Sequence, residues 1–442
     1  MVLPMGPATA TKLVEFPYYY TLRKTKALHS AWGKVYSNGI RSKSLDTKNL
    51  VKEFNNNAHS NIERIYRQLL HDKFKFAPAK GIPIRRPPKA PRPIVLAPIA
   101  NRIVQRSILD VLQAERSIYK YVNTPFSFGA IKDHHQPKGV HNAVKAVQNA
   151  IAEGAKWYIQ SDIKDFFTKI PKRMVLDIVS SLIPDKKFIE LFTAAIDVEL
   201  ENMVDLGAKA KLFPTYEIGV AQGCCLSPLI GNILLHDFDT QMNGRRVVCL
   251  RYIDDFIILA DTKKRAEAAF RNGLKGLESL GLDAYDPKNE IAKPKKDRKA
   301  NIGPTRDGID FLGCEIVGNK IRPNKDSRDR LLAKIDKTIN ESKKLMKTPG
   351  ICCANKTSFV DTLKSINNVL EGWGNQYFYC NETEPIKKLD RSIDERLNSY
   401  IGYYSNCVNS FYDGDFVNRR RILGVHLLID SFNRNHPNSE PQ

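Results

Sequence analysis

The sequence predicts an α+β fold organised around an antiparallel hairpin, and three observations carry that prediction. Val247 to Tyr252 and Phe256 to Ala260 are apolar, β-branched runs on either side of a short turn that bears Asp254 and Asp255. A second strand-like run begins at Trp157 and delivers Asp162 at its end. Lys263 to Leu280, and the chain from Arg328 onward, repeat apolar residues at helical spacing.

Taken in order, Leu28 to Val35 has helical spacing and is followed by a turn-like Ser37-Asn38-Gly39. A second helix is expected over Val51 to Leu70, with Val51, Phe54, Ile62, Ile65, Leu69 and Leu70 on its apolar face. Lys80 to Arg106 is rich in Pro and basic residues, including Arg85, Arg86, Lys89 and Arg92; proline keeps such an arm extended, and its cations suit phosphate. Tyr121 to Gly129 reads as a loop and His134 to Ala150 as a helix. His134 and His135 have no matching ligands nearby and are expected to meet solvent or phosphate rather than a metal. After the hairpin, the Lys263 to Leu280 helix ends at a glycine cap, Gly281, and Lys293 to Arg298 is a basic loop. Asn433 to Gln442 is a polar tail.

The carboxylates carry the chemistry. Neighbouring strand residues point to opposite faces, so Asp254 and Asp255 reach one site together only from a tight turn. Two carboxylates in so apolar a run are costly to bury without compensating positive charge. With Asp162 presented beside them, three oxygen-ligand residues with room for a substrate phosphate describe a Mg²⁺ site for phosphoryl or nucleotidyl transfer. The plainer alternative is that Asp254-Asp255 only caps a turn.

Composition narrows the partner. The 442 residues hold 69 Lys and Arg against 48 Asp and Glu, a net charge of +21, with a sequence pI near 9.5. Such an excess attracts a polyanion, and nucleic acid is the leading candidate. No apolar run approaches the ~18 residues a membrane span needs. Met1 to Thr11 lacks the features of a signal peptide, so a cytoplasmic location and no membrane partner are expected. The eight cysteines form no C-x-x-C spacing, and most are expected to be small buried apolar groups rather than zinc ligands.

Tyr252-Ile253-Asp254-Asp255 resembles the Y-x-D-D box of reverse transcriptases, and Asp162 with Phe166-Phe167 resembles their first palm motif. Between them, the run from Gln222-Gly223-Cys224-Cys225-Leu226-Ser227-Pro228 to Leu235 resembles the Q-G-x-x-L-S-P segment of the bacterial, group II intron-like branch. The resemblance implies a right-hand polymerase fold of fingers, palm and helical thumb. Its expected boundaries are an N-terminal extension over 1–75, fingers over 76–160, palm over 161–325, a maturase-like thumb over 326–432 and the tail over 433–442.

It also implies roles. Asp162, Asp254 and Asp255, with the Ile163 carbonyl, would hold two Mg²⁺ ions, for which Mn²⁺ could substitute. Lys89 and Arg92 match residues that hold the incoming triphosphate, Gln222 one that lines the base-pair and sugar pocket, and Lys288 a lysine placed near the triphosphate. Phe167 matches the bulky gate that excludes a ribose 2′-hydroxyl. Arg85, Arg86, Arg102, Tyr252 and Gly313, the last in the Phe311-Leu312-Gly313-Cys314 primer-grip turn, would contact nucleic acid.

The implied reaction is RNA-directed addition of dNTPs to a primer 3′-hydroxyl, giving cDNA. No nuclease or zinc-tail signature is evident, and the short C-terminus suits the free-standing bacterial enzymes that copy a structured non-coding RNA in antiphage defence. The alternative is an intron-encoded maturase acting in RNA splicing.

Overall fold

The computed structural model describes residues 15–86, 89–131, 138–214, 217–244, 246–294, 297–411 and 415–435. His134, His135 and the residues from 436 onward lie outside them. The chain divides into two compact units, Met1–Pro304 and Thr305–Gln442.

The first unit opens with helices Pro17–Arg23, Thr25–Ile40, Leu45–Asn56 and Ala58–Leu70. The turn expected at Ser37-Asn38-Gly39 is instead helical to Ile40. Tertiary packing overrides the local turn signal: a Cβ on Gly39 would lie 2.4 Å from Cγ1 of Val51, so the glycine is a point of close helix contact. The single helix expected over Val51 to Leu70 is two, broken at Asn57 (φ −129°), with Ser44 capping the first by accepting from the Thr47 N–H.

Strands β1 (Lys80–Arg86) and β2 (Lys89–Leu96) then form an antiparallel pair, and helix Ile99–Ala114, which follows, buries ten of its residues. The expected loop at Tyr121 to Gly129 contains the end of a short helix, Arg116–Val122, and a two-residue strand, β3 (Ser127–Phe128). Helix Val140–Ala152 leads to β4 (Trp157–Asp162).

The remaining strands of this unit are β5 (Val247–Tyr252), β6 (Asp255–Ala260) and β7 (Asn301–Pro304), and the sheet order is β3-β5-β6-β4-β7. The hairpin is therefore present, but its loop is only Ile253-Asp254, and Asp255 opens β6. Phe256 to Ala260 are all buried, as a central strand covered on both faces requires. Helix Lys263–Ser279, capped by Thr262, packs on β4 and β6 through Ala266, Phe270 and Leu277. Helix Ser227–Leu234 starts at the expected Ser227-Pro228.

The second unit begins with the sheet β10-β9-β8, made of β8 (Ile309–Phe311), β9 (Cys314–Val317) and β10 (Lys320–Pro323). Leu312 and Gly313, with φ of 49° and 83°, make the tight turn between β8 and β9. Helices Lys325–Leu345, Phe359–Tyr377 and Glu384–Asn409 follow, joined by a core that includes Leu331, Ile335, Ile366, Leu389 and Ile393. Tyr400 is fully buried there and shares a 2.7 Å hydrogen bond with the Ser342 hydroxyl. Among the described residues no helix is long and apolar enough to cross a membrane.

Candidate active site

Sheet register brings two of the three carboxylates together. On β4 and β6, Asp162 and Asp255 are direct antiparallel partners, so their side chains share one face. Asp254 escapes strand alternation because it sits in the turn. Its carbonyl accepts the Ile163 N–H at 3.0 Å, which ties the end of β4 to the turn. On the other side of Asp162, its carbonyl accepts the Tyr285 N–H at 3.2 Å and the Ser161 hydroxyl donates to Tyr285 O at 2.7 Å.

The turn is strained and held from below. Ile253 has φ 61°, a left-handed backbone that costs a β-branched residue on the order of 1–3 kcal/mol. Its N–H donates to Phe128 O, and a Cβ on Gly129 would come within 2.9 Å of the Ile253 side chain, so only glycine fits beneath it. Its carbonyl accepts Nη1 of Arg251 at 2.8 Å. Arg251 is 1% exposed; Nε and Nη2 grip both carboxylate oxygens of Asp239 at 2.7 and 2.5 Å, and Nη1 also donates to Asn232 Oδ1 at 2.9 Å. Asn232 in turn donates to Gly129 O. The network closes a circle around the turn.

Burial and crowded negative charge both show in the proton affinities. Burial, then the neighbouring Asp162 charge, raises the pKa of Asp254, and Arg92 and Lys299 offset only part of this. Burial together with Asp162 and Asp254 pushes Asp255 up to about 7. Lys299 places Nζ 2.6 Å from Asp162 Oδ2. Burial works against its ammonium, but the hydrogen bond and charge of Asp162 outweigh it and raise the lysine pKa.

Among the described residues, no three carboxylate, thiol or imidazole groups form a ready ligand shell for a metal. The donor set still fits Mg²⁺, which binds through one or two carboxylates and completes its shell with water and substrate phosphate. A cation is already drawn to the site in the form of the Lys299 ammonium. Asp162, Asp254 and Asp255 would hold such ions, with the Ile163 carbonyl beside them.

The other expected residues fall into three groups. Arg92 and Gln222 meet: Arg92 Nε donates to Gln222 Oε1 at 2.9 Å, and Val95 N–H to Gln222 O at 2.9 Å docks the Gln222-Gly223 loop on β2. Gly223 has φ 107° and its missing Cβ would crowd Val95 O, a second place where glycine is required. Phe166 is buried under Gly231 while Phe167 is partly buried, its carbonyl accepting the Val220 N–H. Tyr252 is half-buried, opposite Asp255.

A second group is exposed, comprising Arg85 and Arg86 on β1 and Lys288 on the short helix Pro287–Glu290. The Lys89 backbone pairs with Arg86, and its side chain lies outside the described residues.

The third group has partners of its own. Arg102 is half-buried; Nε donates to Ala97 O at 2.6 Å, burial lowers its pKa, and it lines a separate cavity of about 950 Å³ with Arg106, Cys224 and Cys225. Gly313, in the second unit, accepts from the Ser327 hydroxyl and the Asn324 N–H, and its missing Cβ would press on Tyr377 Oη.

Sequence reasoning missed Arg251, Asp239, Asn232 and Lys299. Arg251 and Asn232 had a signal, because an Arg inside an apolar strand and an Asn inside the apolar run Leu229 to Leu235 are costly to bury unless partnered, whereas Asp239 stands in a polar stretch. Lys299 had none, being one cation in a basic stretch.

The chain is similar to several known proteins. Protein YkfC of Escherichia coli (strain K12) is 24% identical over 294 residues, covering 58% of this chain and 71% of YkfC. Group II intron-encoded protein LtrA of Lactococcus lactis subsp. cremoris is 26% identical over 225 residues, covering 50% of this chain and 34% of LtrA. Among solved structures, a partial Cas6-RT-Cas1–Cas2 complex aligns with TM-score 0.36 and 20% identity, over 63% of this chain and 44% of that one. The chain thus spans about a third of LtrA and under half of the Cas6-RT-Cas1 chain. A family model described as reverse transcriptase (RNA-dependent DNA polymerase) matches residues 79–316, more than half the chain, a span that contains Asp162, Asp254 and Asp255. The chain belongs to the reverse transcriptase family, and its α+β fold is of that family's right-hand polymerase class.

Proposed function

We propose that this protein is an RNA-directed DNA polymerase that adds dNTPs to a primer 3′-hydroxyl on an RNA template, through divalent ions held by Asp162, Asp254 and Asp255. The observation that carries the reading is the register pairing of Asp162 with Asp255 beside a turn that aims Asp254 out of strand alternation. Bound Mg²⁺ would supply the Lewis acidity that activates the hydroxyl and stabilises the departing pyrophosphate. The chain's own residues do the positioning. Arg92, steadied by Gln222, offers its remaining guanidinium nitrogens to the triphosphate, for which a planar fork suits phosphate oxygens. Phe167, backed by buried Phe166, stands as a wall against a ribose 2′-hydroxyl.

The template is proposed to be a structured non-coding RNA and the product its cDNA, in antiphage defence, on the resemblance to free-standing enzymes of the group II intron-like branch. Similarity to LtrA supports a second reading, a maturase acting on a group II intron. Sequencing RNA and cDNA recovered with the protein separates them: a recurrent structured RNA with matching cDNA supports the first, intron RNA the second. For the chemistry, Asp254→Asn with Asp255→Asn is expected to abolish primer extension while leaving RNA affinity within about threefold, because affinity for nucleic acid comes mainly from the basic surface. Extension by the double variant would overturn the metal reading.

A further inference from the structure

The β4–β7 register puts one more charged residue at the carboxylates. Trp157 pairs with Pro304 and Gln160 with Asn301. The same register carried two residues further sets Lys299 against Asp162, on the side away from Asp255. The placement is built, not incidental. Glu290, 3% exposed, accepts the Lys299 N–H at 2.9 Å through one oxygen and Lys293 Nζ at 2.6 Å through the other. Arg298 closes the same loop by donating to Ile291 O and Lys293 O. The backbone of Lys299 is thus clamped, while its side chain remains 38% exposed. The Tyr285 ring flanks it at 5.9 Å and flanks Lys164 at 5.5 Å, so the ammonium has a cation-favouring surface beside Asp162 as well.

We infer that Lys299 is the resident counter-cation of the carboxylate trio: its ammonium occupies Asp162 until a divalent ion takes that carboxylate, and then turns to the phosphates of the incoming nucleotide. This rests on the polymerase reading for its second half only. An ion pair on Asp162 must be displaced before that carboxylate can bind metal, so it lowers apparent metal affinity by the fraction of time the site is closed. The displaced charge is then one step from a triphosphate seated on the same ions. Lys299 thus acts on Asp162 before the metal binds and on the substrate's phosphates after it.

The test uses the full chain and Lys299→Met, with Lys299→Arg as the charge-preserving variant. Without nucleotide, Mg²⁺ titration followed by thermal unfolding is expected to show Lys299→Met saturating at about tenfold lower Mg²⁺ than the parent, with Lys299→Arg between them. Adding Asp162→Asn should erase that difference. In primer extension, Lys299→Met should raise the dNTP KM about tenfold with kcat changed less than threefold, and Lys299→Arg should recover most of it. An unchanged or weaker Mg²⁺ midpoint in Lys299→Met overturns the counter-cation role, and an unchanged KM overturns the hand-over to phosphate. If the parent protein extends no primer, the polymerase reading fails, and the Mg²⁺ arm still decides whether Lys299 guards Asp162.

Discussion

Arg251 is the residue whose loss separates stability from geometry. It and Asp239 are 1% and 2% exposed, and the guanidinium satisfies both carboxylate oxygens while also holding Asn232 and the Ile253 carbonyl. Arg251→Ala leaves the Asp239 carboxylate buried without its cation, a change that costs about 3–5 kcal/mol. At about 2 °C per kcal/mol for a unit of this size, the melting temperature should fall by roughly 6–10 °C. Arg251→Lys keeps a charge but lacks the fork, so it cannot serve Asp239 and Ile253 together. The informative variant is the pair Asp239→Leu with Arg251→Met. Removing both charges for apolar groups of similar volume restores most of the stability. The Ile253 carbonyl still loses its anchor, and the left-handed turn that presents Asp254 relaxes. A misplacement of about 1 Å at reacting groups costs on the order of 100-fold in rate. Thermal unfolding and primer extension on the same three preparations check this: near-parental melting with extension down by about two orders of magnitude is expected for the double variant. Parental extension by that variant would refute the claim that Arg251 positions the turn.

Phe167→Ala is expected to raise ribonucleotide incorporation while dNTP addition stays measurable; unchanged sugar discrimination in a mixed-nucleotide extension assay rejects the gate. Gly231→Ala places a Cβ 2.6 Å from Cε1 of Phe166, an overpacking of about 1–3 kcal/mol that should lower the melting temperature; no shift would mean that Phe166 has room to move. Asp255 keeps its proton up to about 7 in the folded chain, against ~3.9 when unfolded. The folded state therefore binds the extra proton between those values, and the stability of metal-free protein rises as pH falls through 7 and levels off below about 4. Urea unfolding at pH 8 and pH 6 should show a larger gain for the parent than for Asp255→Asn; equal gains refute the shift.

Much of the site was legible because strand signals there are strong and local. The runs flanking Asp254 are apolar and β-branched, and a two-residue loop is all that separates them, so both the hairpin and its carboxylates could be read from spacing. Where long-range packing decides, local signals misled. Ser37-Asn38-Gly39 has turn chemistry, yet Val51 packs on Gly39 and the helix continues. Lys299 was illegible for a related reason. It reaches Asp162 through β7, whose four residues Asn301-Ile302-Gly303-Pro304 carry no strand pattern and exist as a strand only by pairing with β4. Lys288, which matches a motif in sequence, stands exposed on its short helix.

The charges at the site explain why it is left incomplete. Three carboxylates face one ammonium at 2.6 Å and a guanidinium whose field reaches Asp254, and burial together with the neighbouring carboxylates still raises the pKa values of Asp254 and Asp255. A site that closed around metal unaided would gain nothing further from nucleotide. The three carboxylates, in the proposed reading, leave the ligand shell open for phosphate oxygens to complete, and metal and nucleotide would each strengthen the other's binding by the same factor because such coupling is reciprocal. In the proposed reading, the ions then bind tightly only when a triphosphate is present to react. Strain at Ile253 and the buried Arg251 network serve that arrangement: they hold Asp254 where repulsion from its neighbours would otherwise push it away, at a folding cost that the packed strands β4, β5 and β6 can bear.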